Sequence, residues 1–280
     1  ANTKLRIIYR ANTKNNVNIS AGKLTSMARP LFEFENLSSL DTSLVRFVAN
    51  SIEATNDNPI TGDVSFPTTE ELKRRIFDHY AAQHRAVTRQ DYISTIYSMP
   101  PQFGAVKRAA VVRDDDSFKR NLNVYLISEN MDGTLITAAN TLKNNVKIWL
   151  NKNRMISDTI DIIDAKILNI SIDFVVVADL ETNKFDILAT AISTLRQKVR
   201  ILGDIGEAFY ISDIYKILND VDGVVDTQSV VIKQKLGTNY SDLNFDIESN
   251  LSSDGRYFVV PDNVIVEVKF PLQDIRGVIK

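Results

Sequence analysis

A chain of 280 residues with 44% hydrophobic and 24% charged residues has the apolar share of a globular protein, and too high a share for a disordered one. Its 33 lysines and arginines face 35 acidic residues, a formal net charge of −2, so no basic excess draws it to phosphate backbones or anionic lipid. It has no cysteine and two histidines, His79 and His84, which removes disulfides, thiolate nucleophiles and zinc–sulfur sites and disfavours most enzyme chemistry.

The first 66 residues read as strands and loops. Leu5, Ile7 and Tyr9 alternate with Lys4, Arg6 and Arg10, the period-2 pattern of a half-buried strand. An Asn-rich turn follows from Asn12 to Asn18, and Leu31 to Phe34 suggests another strand. Asn56 to Pro67 is a loop or linker and marks a soft boundary. The chain opens with Ala-Asn-Thr-Lys rather than Met, as a processed product or a fragment of a longer protein would. The longest apolar stretches, such as Ile170 to Ala178, are too short to span a bilayer and are interrupted by Asp173.

A helix is predicted from Thr68, where Thr68 and Glu71 have the spacing of a capping box. Its residues Leu72, Ile76, Phe77, Tyr80 and Ala81 share a face. A second helix starts at Thr88 with Asp91 at its third position, carries Tyr92, Ile93, Ile96 and Tyr97, and stops at Pro100-Pro101. Strands are predicted over Ala105 to Arg113 and Leu122 to Ile127. Ala138, Leu142, Val146, Trp149 and Leu150 then mark a helix, with Trp149 read as core. A long strand follows through Ile170, Ile172 and Phe174. Next come a helix with Leu188, Ile192, Leu195 and Val199 on one face, a shorter one from Ser212 to Asn219, and a strand from Val224 to Lys233. This order suggests α+β modules. A weak echo links Asp91 to Val112 with Asp213 to Ile232, as two helix–turn–strand units would.

Lys235 to Arg256 is polar and turn-rich, and Tyr257 to Val260 and Val264 to Phe270 read as a terminal β-hairpin. Such a hairpin suits either an ordinary chain end or a docking arm. In the second case Tyr257, Phe258, Val260, Val264 and Val266 are candidate interface positions.

The candidate chemistries each meet a plainer reading. Asp114, Asp115 and Asp116 could collect a hard cation, but three consecutive residues on a turn need further ligands from elsewhere. Asp220-Val-Asp-Gly223 lacks the later ligands and closing Glu of a calcium loop. His79 and His84 are five apart rather than four, so they do not stack on a helix face as zinc ligands. Gly203-Asp-Ile-Gly206 lacks the third glycine of a dinucleotide loop. Lys73, Arg74, Arg75, Arg85, Arg89, Lys107 and Arg108 could touch phosphates, yet Glu70, Glu71 and Asp78 balance them along the helix. No catalytic, metal-binding or cofactor-binding residues are assigned, and no cofactor is expected.

The stretch His84-Arg-Ala-Val-Thr-Arg-Gln-Asp-Tyr92 resembles the R-x-V-T-x-x-D-Y signature of the baseplate J-like family of phage tail proteins, with Arg85, Thr88, Asp91 and Tyr92 as its fold-signature residues. The resemblance extends to the turn Asn18-Ile-Ser-Ala-Gly22, the strand entry Gly104-Ala-Val106, Trp149-Leu150 and Val221-Asp-Gly-Val-Val225. It departs between Asn50 and Arg75, where the family's Gly-Gly-x-Asp-x-Glu pattern shrinks to Thr61-Gly-Asp63 and Glu70-Glu71.

The fold expected is α+β and multi-module, with antiparallel or mixed sheets, helices packed on one face, a β-rich N-terminal segment and a C-terminal β-hairpin. Its expected parts are 1–66, 67–234 and 235–280. The resemblance implies a non-enzymatic structural component of a contractile tail baseplate, located in the virion and assembled in the host cytoplasm. Its implied partners are copies of itself and other baseplate wedge proteins, with no small-molecule substrate and no membrane, and with nucleic acid disfavoured. The alternatives are a Mg²⁺-dependent carboxylate hydrolase (a nuclease using Asp114 to Asp116) and a host-surface binding module.

Overall fold

The computed structural model describes residues 40–55, 67–83, 85–100, 103–114, 121–130, 133–179, 183–199 and 203–280, with Thr25 and Phe32 singly. The strand expected at Lys4 to Arg10, the turn at Asn18 to Gly22 and most of the loop at 56–67 lie outside these residues. So does the strand at Leu31 to Phe34, apart from Phe32. The chain divides into two compact units, Ala1–Asp63 with Pro100–Ala105, and Val64–Met99 with Val106–Lys280.

In the first unit, helix α1 (Thr42–Asn50) corrects the expectation of strands and loops there. Asp41 caps it by accepting the Ser43 N–H at 2.8 Å, which satisfies one of the donors that a helix start leaves open. Leu44, Phe47 and Val48, at helical spacing, are all exposed, and no residue of α1 is buried.

The second unit holds two sheet-and-helix modules. Its helices are α2 (Thr69–Ala82), α3 (Arg89–Tyr97), α4 (Asn140–Asn151), α5 (Lys184–Val199), α6 (Ile211–Asn219) and the short α7 (Pro271–Asp274). In the first module β1 (Arg108–Arg113) lies antiparallel to β2 (Asn121–Glu129), which also pairs with β3 (Leu135–Ile136) and runs parallel to β4 (Thr159–Asp164). Tyr92 and Ile96 of α3 and Leu142, Val146 and Leu150 of α4 bury against Val111, Val124 and Leu126. The Trp149 indole N–H, donating 2.8 Å to the Thr95 carbonyl, ties the two helices together.

The second module is built on β5 (Lys166–Ala178). Strand β7 (Val224–Gln234) is antiparallel to it, while β9 (Val264–Glu267) and β10 (Ile275–Ile279) lie parallel to its first and second halves. Ile170, Ile172, Phe174 and Val176 point to one face, where Ala191 and Leu195 of α5 and Ile214 and Leu218 of α6 cover them. Burying each such aliphatic side chain contributes roughly 2 kcal/mol. The fold is therefore α+β, with mixed open sheets.

The terminal hairpin does not form. Strand β8 (Tyr257–Phe258) pairs with β6 (Phe209–Tyr210), and β9 joins β5 instead. All four residues of β9 are buried, so both its faces need cover, which an interior parallel neighbour supplies and a two-stranded arm does not. The polar stretch before it is also tied down. The Phe245 ring lies tilted against Phe258 with centroids 6.5 Å apart, and the Gln234 side chain holds the Leu243 carbonyl and, at 3.1 Å, the Phe245 N–H. Strands β4 and β10 and helix α7 go beyond the predicted elements.

The sequence echo has a structural counterpart. Gly104 and Gly223, ahead of β1 and β7, both adopt positive φ (106° and 88°), a conformation that glycine takes without steric cost. The Tyr97 hydroxyl of α3 accepts the Ala109 N–H of β1 at 3.0 Å, and the Tyr215 hydroxyl of α6 accepts the Val230 N–H of β7 at 3.0 Å.

The modules meet through Glu267. Its carboxylate accepts the Leu135 N–H at 2.6 Å and the Asn169 side-chain amide at 2.9 Å, and burial pushes its pKa up. Ile127, Ala165, Ile205 and Ile265 form a small apolar cluster that also joins the two modules.

At Gly277 of β10 the backbone lies close against the core, and a Cβ would meet the Phe174 ring at 2.4 Å and Leu188 Cδ1 at 2.9 Å. Gly277→Ala is expected to destabilise the chain by about 1–3 kcal/mol through overpacking. Urea denaturation checks this as a lower midpoint at unchanged slope.

Candidate interaction surface

The four signature residues converge at the start of α3. The Thr88 hydroxyl accepts the Asp91 N–H at 3.2 Å, and the Asp91 carboxylate accepts the Thr88 N–H at 2.8 Å and the Val87 N–H at 3.1 Å, a complete capping box. Burial raises the Asp91 pKa, but the N–H donors of Thr88 and Val87, the Thr88 hydroxyl and the nearby Arg85 charge outweigh it and lower the pKa on balance.

Tyr92 is buried, and its hydroxyl donates 2.8 Å to the buried Asp158 carboxylate while accepting the Met155 N–H. Burial first, and then that bond to Asp158, push the phenol pKa up to about 12. The Ala86 N–H bonds the Asn153 carbonyl at 2.8 Å beside it. Each of these contacts fixes the α3 entry to the 153–158 turn.

Helix α2 is attached in an unusual sense. An α-helix turns about 100° per residue, so Glu71, Arg75, Asp78 and Ala82 share one side while Leu72, Ile76 and Tyr80 share the opposite one. The charged side faces the protein. Arg108, buried at the start of β1, donates 2.7 Å to Glu71, and its Nε lies 3.0 Å from Asp204 but off the N–H axis, so that contact is Coulombic rather than a hydrogen bond. Arg74 adds a 3.2 Å pair to Asp204, Asp78 accepts the Gln90 amide at 2.7 Å, and the Arg75 guanidinium sits 3.8 Å above the Tyr97 ring. Burial and then the Asp204 charge raise the Tyr97 pKa. The capping box expected at Thr68 is only half made. Thr68 accepts the Glu71 N–H at 3.3 Å, but the Glu71 carboxylate goes to Arg108, a charged partner that outcompetes a backbone amide.

The apolar side is consequently turned outward. Leu72 is 47% exposed, Ile76 61%, Phe77 71% and Tyr80 82%, and Ala82 is the one residue of α2 that is buried. Beside them lies a groove of about 670 Å³, lined by Leu72, Ile76 and Tyr80 on one side and by Ser94 and Tyr97 of α3 and the following Ser98 on the other. The Ser94 hydroxyl oxygen is buried there without a hydrogen-bond partner among the described residues.

The other sequence candidates fall elsewhere. Phe258, Val260, Val264 and Val266 are buried in the larger core of the second unit, so their side chains are not offered to a partner; Tyr257 is partly exposed, against Tyr210. Asp114 and Asp161 both accept from the Asn121 amide, at 3.2 and 3.0 Å, while Asp115 and Asp116 lie outside the described residues. No group of three metal-ligating side chains occurs among the described residues. His79 lines the groove, and His84 lies outside the described residues. Of the basic set, Arg74, Lys107 and Arg108 make internal ion pairs. No helix among the described residues is long and apolar enough to cross a membrane.

No family model matches the sequence, and no curated protein matches it significantly. Among solved structures, the chain aligns with one from the anti-feeding prophage baseplate, 6-fold symmetrised, at 11% identity and a TM-score of 0.43. The alignment covers 95% of this chain and 52% of the other, so the chain spans about half the length of its counterpart.

Two outcomes follow. Arg108→Ala takes from Glu71 its charged partner and leaves Asp204 paired with Arg74 alone, and is expected to cost about 1–3 kcal/mol. Hydrogen exchange should accelerate over residues 69–82 well before it does over β5. Asp91 ionises more easily in the folded chain than in the unfolded one, so its contribution is full above the ordinary value of 3.8 and fades as pH falls through its lowered folded value. The stability gap between the natural chain and Asp91→Asn should therefore be widest near neutrality and should close below pH 3.8 in acid titrations of unfolding.

Proposed function

We propose that this chain is a structural component of a contractile phage tail baseplate, the C-terminal portion of a wedge protein like that of T-even phages, and that it helps form the inner baseplate ring by protein–protein contacts. The single observation that carries the reading is the outward apolar face of α2, held in place by charges on its other side. A helix fixed in that sense costs solubility unless another surface covers it. The signature from Arg85 to Tyr92, with its cap and its Tyr92–Asp158 bond, supports the baseplate J-like family as the source of the fold.

On this reading the mechanism is geometric. Rigid modules hold contact surfaces at fixed angles, and repeated contacts close a ring only when that angle suits the symmetry. A ring that widens during contraction needs one firm contact and one that pivots. The division into 1–66, 67–234 and 235–280 belongs to the same reading, as do the lack of catalysis, the wedge-protein partners and assembly in the host cytoplasm before incorporation into the virion.

Immunoelectron microscopy with antibody to the chain, applied to purified contractile tails from its source, tests this. Gold at the baseplate end is expected. Label along the sheath, or complete absence of the chain from tails, refutes it.

A further inference from the structure

We propose that a small cationic pocket on the outer face of the second module's sheet binds an acidic, extended peptide segment of a partner protein, with Arg276 as the carboxylate anchor. The site is independent of the assembly reading above, and either can fail while the other stands.

Helices α5 and α6 cover one face of the sheet β10–β5–β7, so alternate side chains of these strands look out from the other. Register sets them in rows. Ser171 lies beside Lys233, Asp173 stands between Val231 and Arg276, and Val175 stands between Ser229 and Val278. Ser171, Asp173, Lys233 and Arg276, together with Gln234 and Lys235, line a pocket of about 160 Å³. Pockets for drug-sized molecules start at about 300 Å³, so this one takes a single small group rather than a nucleotide.

The charges say which group. Lys233 already holds Asp173 at 2.8 Å. Lys235 lies 4.0 Å from the buried Asp274, a carboxylate that also accepts the Tyr240 hydroxyl at 2.8 Å and the Phe270 N–H at 3.0 Å. Arg276 is exposed and makes no ion pair among the described residues. Its Nε donates to the Gln273 carbonyl at 3.3 Å, which orients the guanidinium and leaves the fork of terminal amino groups for a ligand. Such a fork grips a carboxylate through two parallel charge-assisted bonds. Three cations against the two carboxylates leave one positive charge in excess, which one carboxylate balances and a phosphate dianion overshoots.

The surroundings say what carries it. Val278, two residues along β10 from Arg276, is 58% exposed, and Val231, across from Asp173, is 47% exposed. These β-branched side chains suit a ligand with an aliphatic group close to its carboxylate. An extended peptide presents residues i and i+2 on one side about 6.5–7 Å apart, the same step that separates Arg276 from Val278. A free anion has nothing to lay against the valines.

The probe is the blocked peptide Ac-Thr-Glu-Thr-Val-Thr-amide, titrated into the full isotope-labelled chain while backbone amide shifts are followed by NMR. Saturable shifts confined to 171–175, 231–235 and 276–278 are expected, with a dissociation constant of about 1 mM or tighter. Arg276→Gln should weaken binding about tenfold or more, and so should Gln in place of the peptide's Glu. Lys235→Gln should weaken it less, and both variants should keep the circular dichroism spectrum of the natural chain. The proposal is overturned by the absence of saturable shifts up to about 10 mM peptide, or by shifts centred on another surface. Equal binding of the Gln peptide, or undiminished binding by Arg276→Gln, also overturns it. Acetate or inorganic phosphate that binds as tightly as the peptide makes the pocket a free-anion site and refutes the peptide. A chain that sits in tail baseplates but ignores the peptide sinks this site alone, and one that binds the peptide but never joins a tail sinks only the assembly reading.

Discussion

The orientation of α2 depends on one buried guanidinium. Arg108 opens β1 where an apolar residue would ordinarily sit, and a buried positive charge must find carboxylates or forgo its hydration for nothing. Glu71 from the helix and Asp204 from the 203–207 turn supply them. Glu71 cannot both close the helix cap and neutralise Arg108; the charge takes it, and the helix is rotated so that its polar side faces inward. Everything distinctive about the surface follows from that competition. The exposed stripe and the groove beside it are consequences of where a charge had to be answered.

Behind this surface the two modules share a framework rather than a simple boundary. The thirteen residues of β5 begin just after the edge strand of the first module and run on as the spine of the second. Chain that is remote in sequence lies against them: β9 and β10 return from the C-terminus, and β7 comes back after two helices. Glu267 then reaches from β9 to the backbone of β3. Burial raises its pKa, so the ionised form is less favoured in the folded chain than in the unfolded one. The apolar cluster of Ile127, Ala165, Ile205 and Ile265 provides compensation at the same seam.

Much of the fold was legible in the sequence because the signals were local. The helices over α3, α4, α5 and α6 follow from stripes such as Leu142, Val146 and Leu150, and the alternation of Ile170, Ile172 and Phe174 foretells the central strand. The Thr88 cap was visible from the spacing to Asp91. Local signals are also present in α1, where Asp41 precedes Leu44, Phe47 and Val48, and in β4, where Ile160 and Ile162 alternate with Asp161. The C-terminus could not be read locally. A run such as Val264 to Glu267 is compatible with a hairpin or with a buried parallel strand, and only the distant β5 decides. The same limit applied to the candidate surface. The apolar face of α2 was plain, but its outward direction depends on Arg108, 37 residues beyond Glu71.

The paired tyrosines bear on how such a molecule stays discrete. Subunits crowded together with open sheet margins risk merging strand to strand, which leads to fibrous precipitation instead of a defined particle. Tyr97 and Tyr215 each occupy an outward amide on the strand nearest them, one in each module, and so interrupt the template that a neighbouring strand would need. A strand from another chain is thereby denied these two backbone donors.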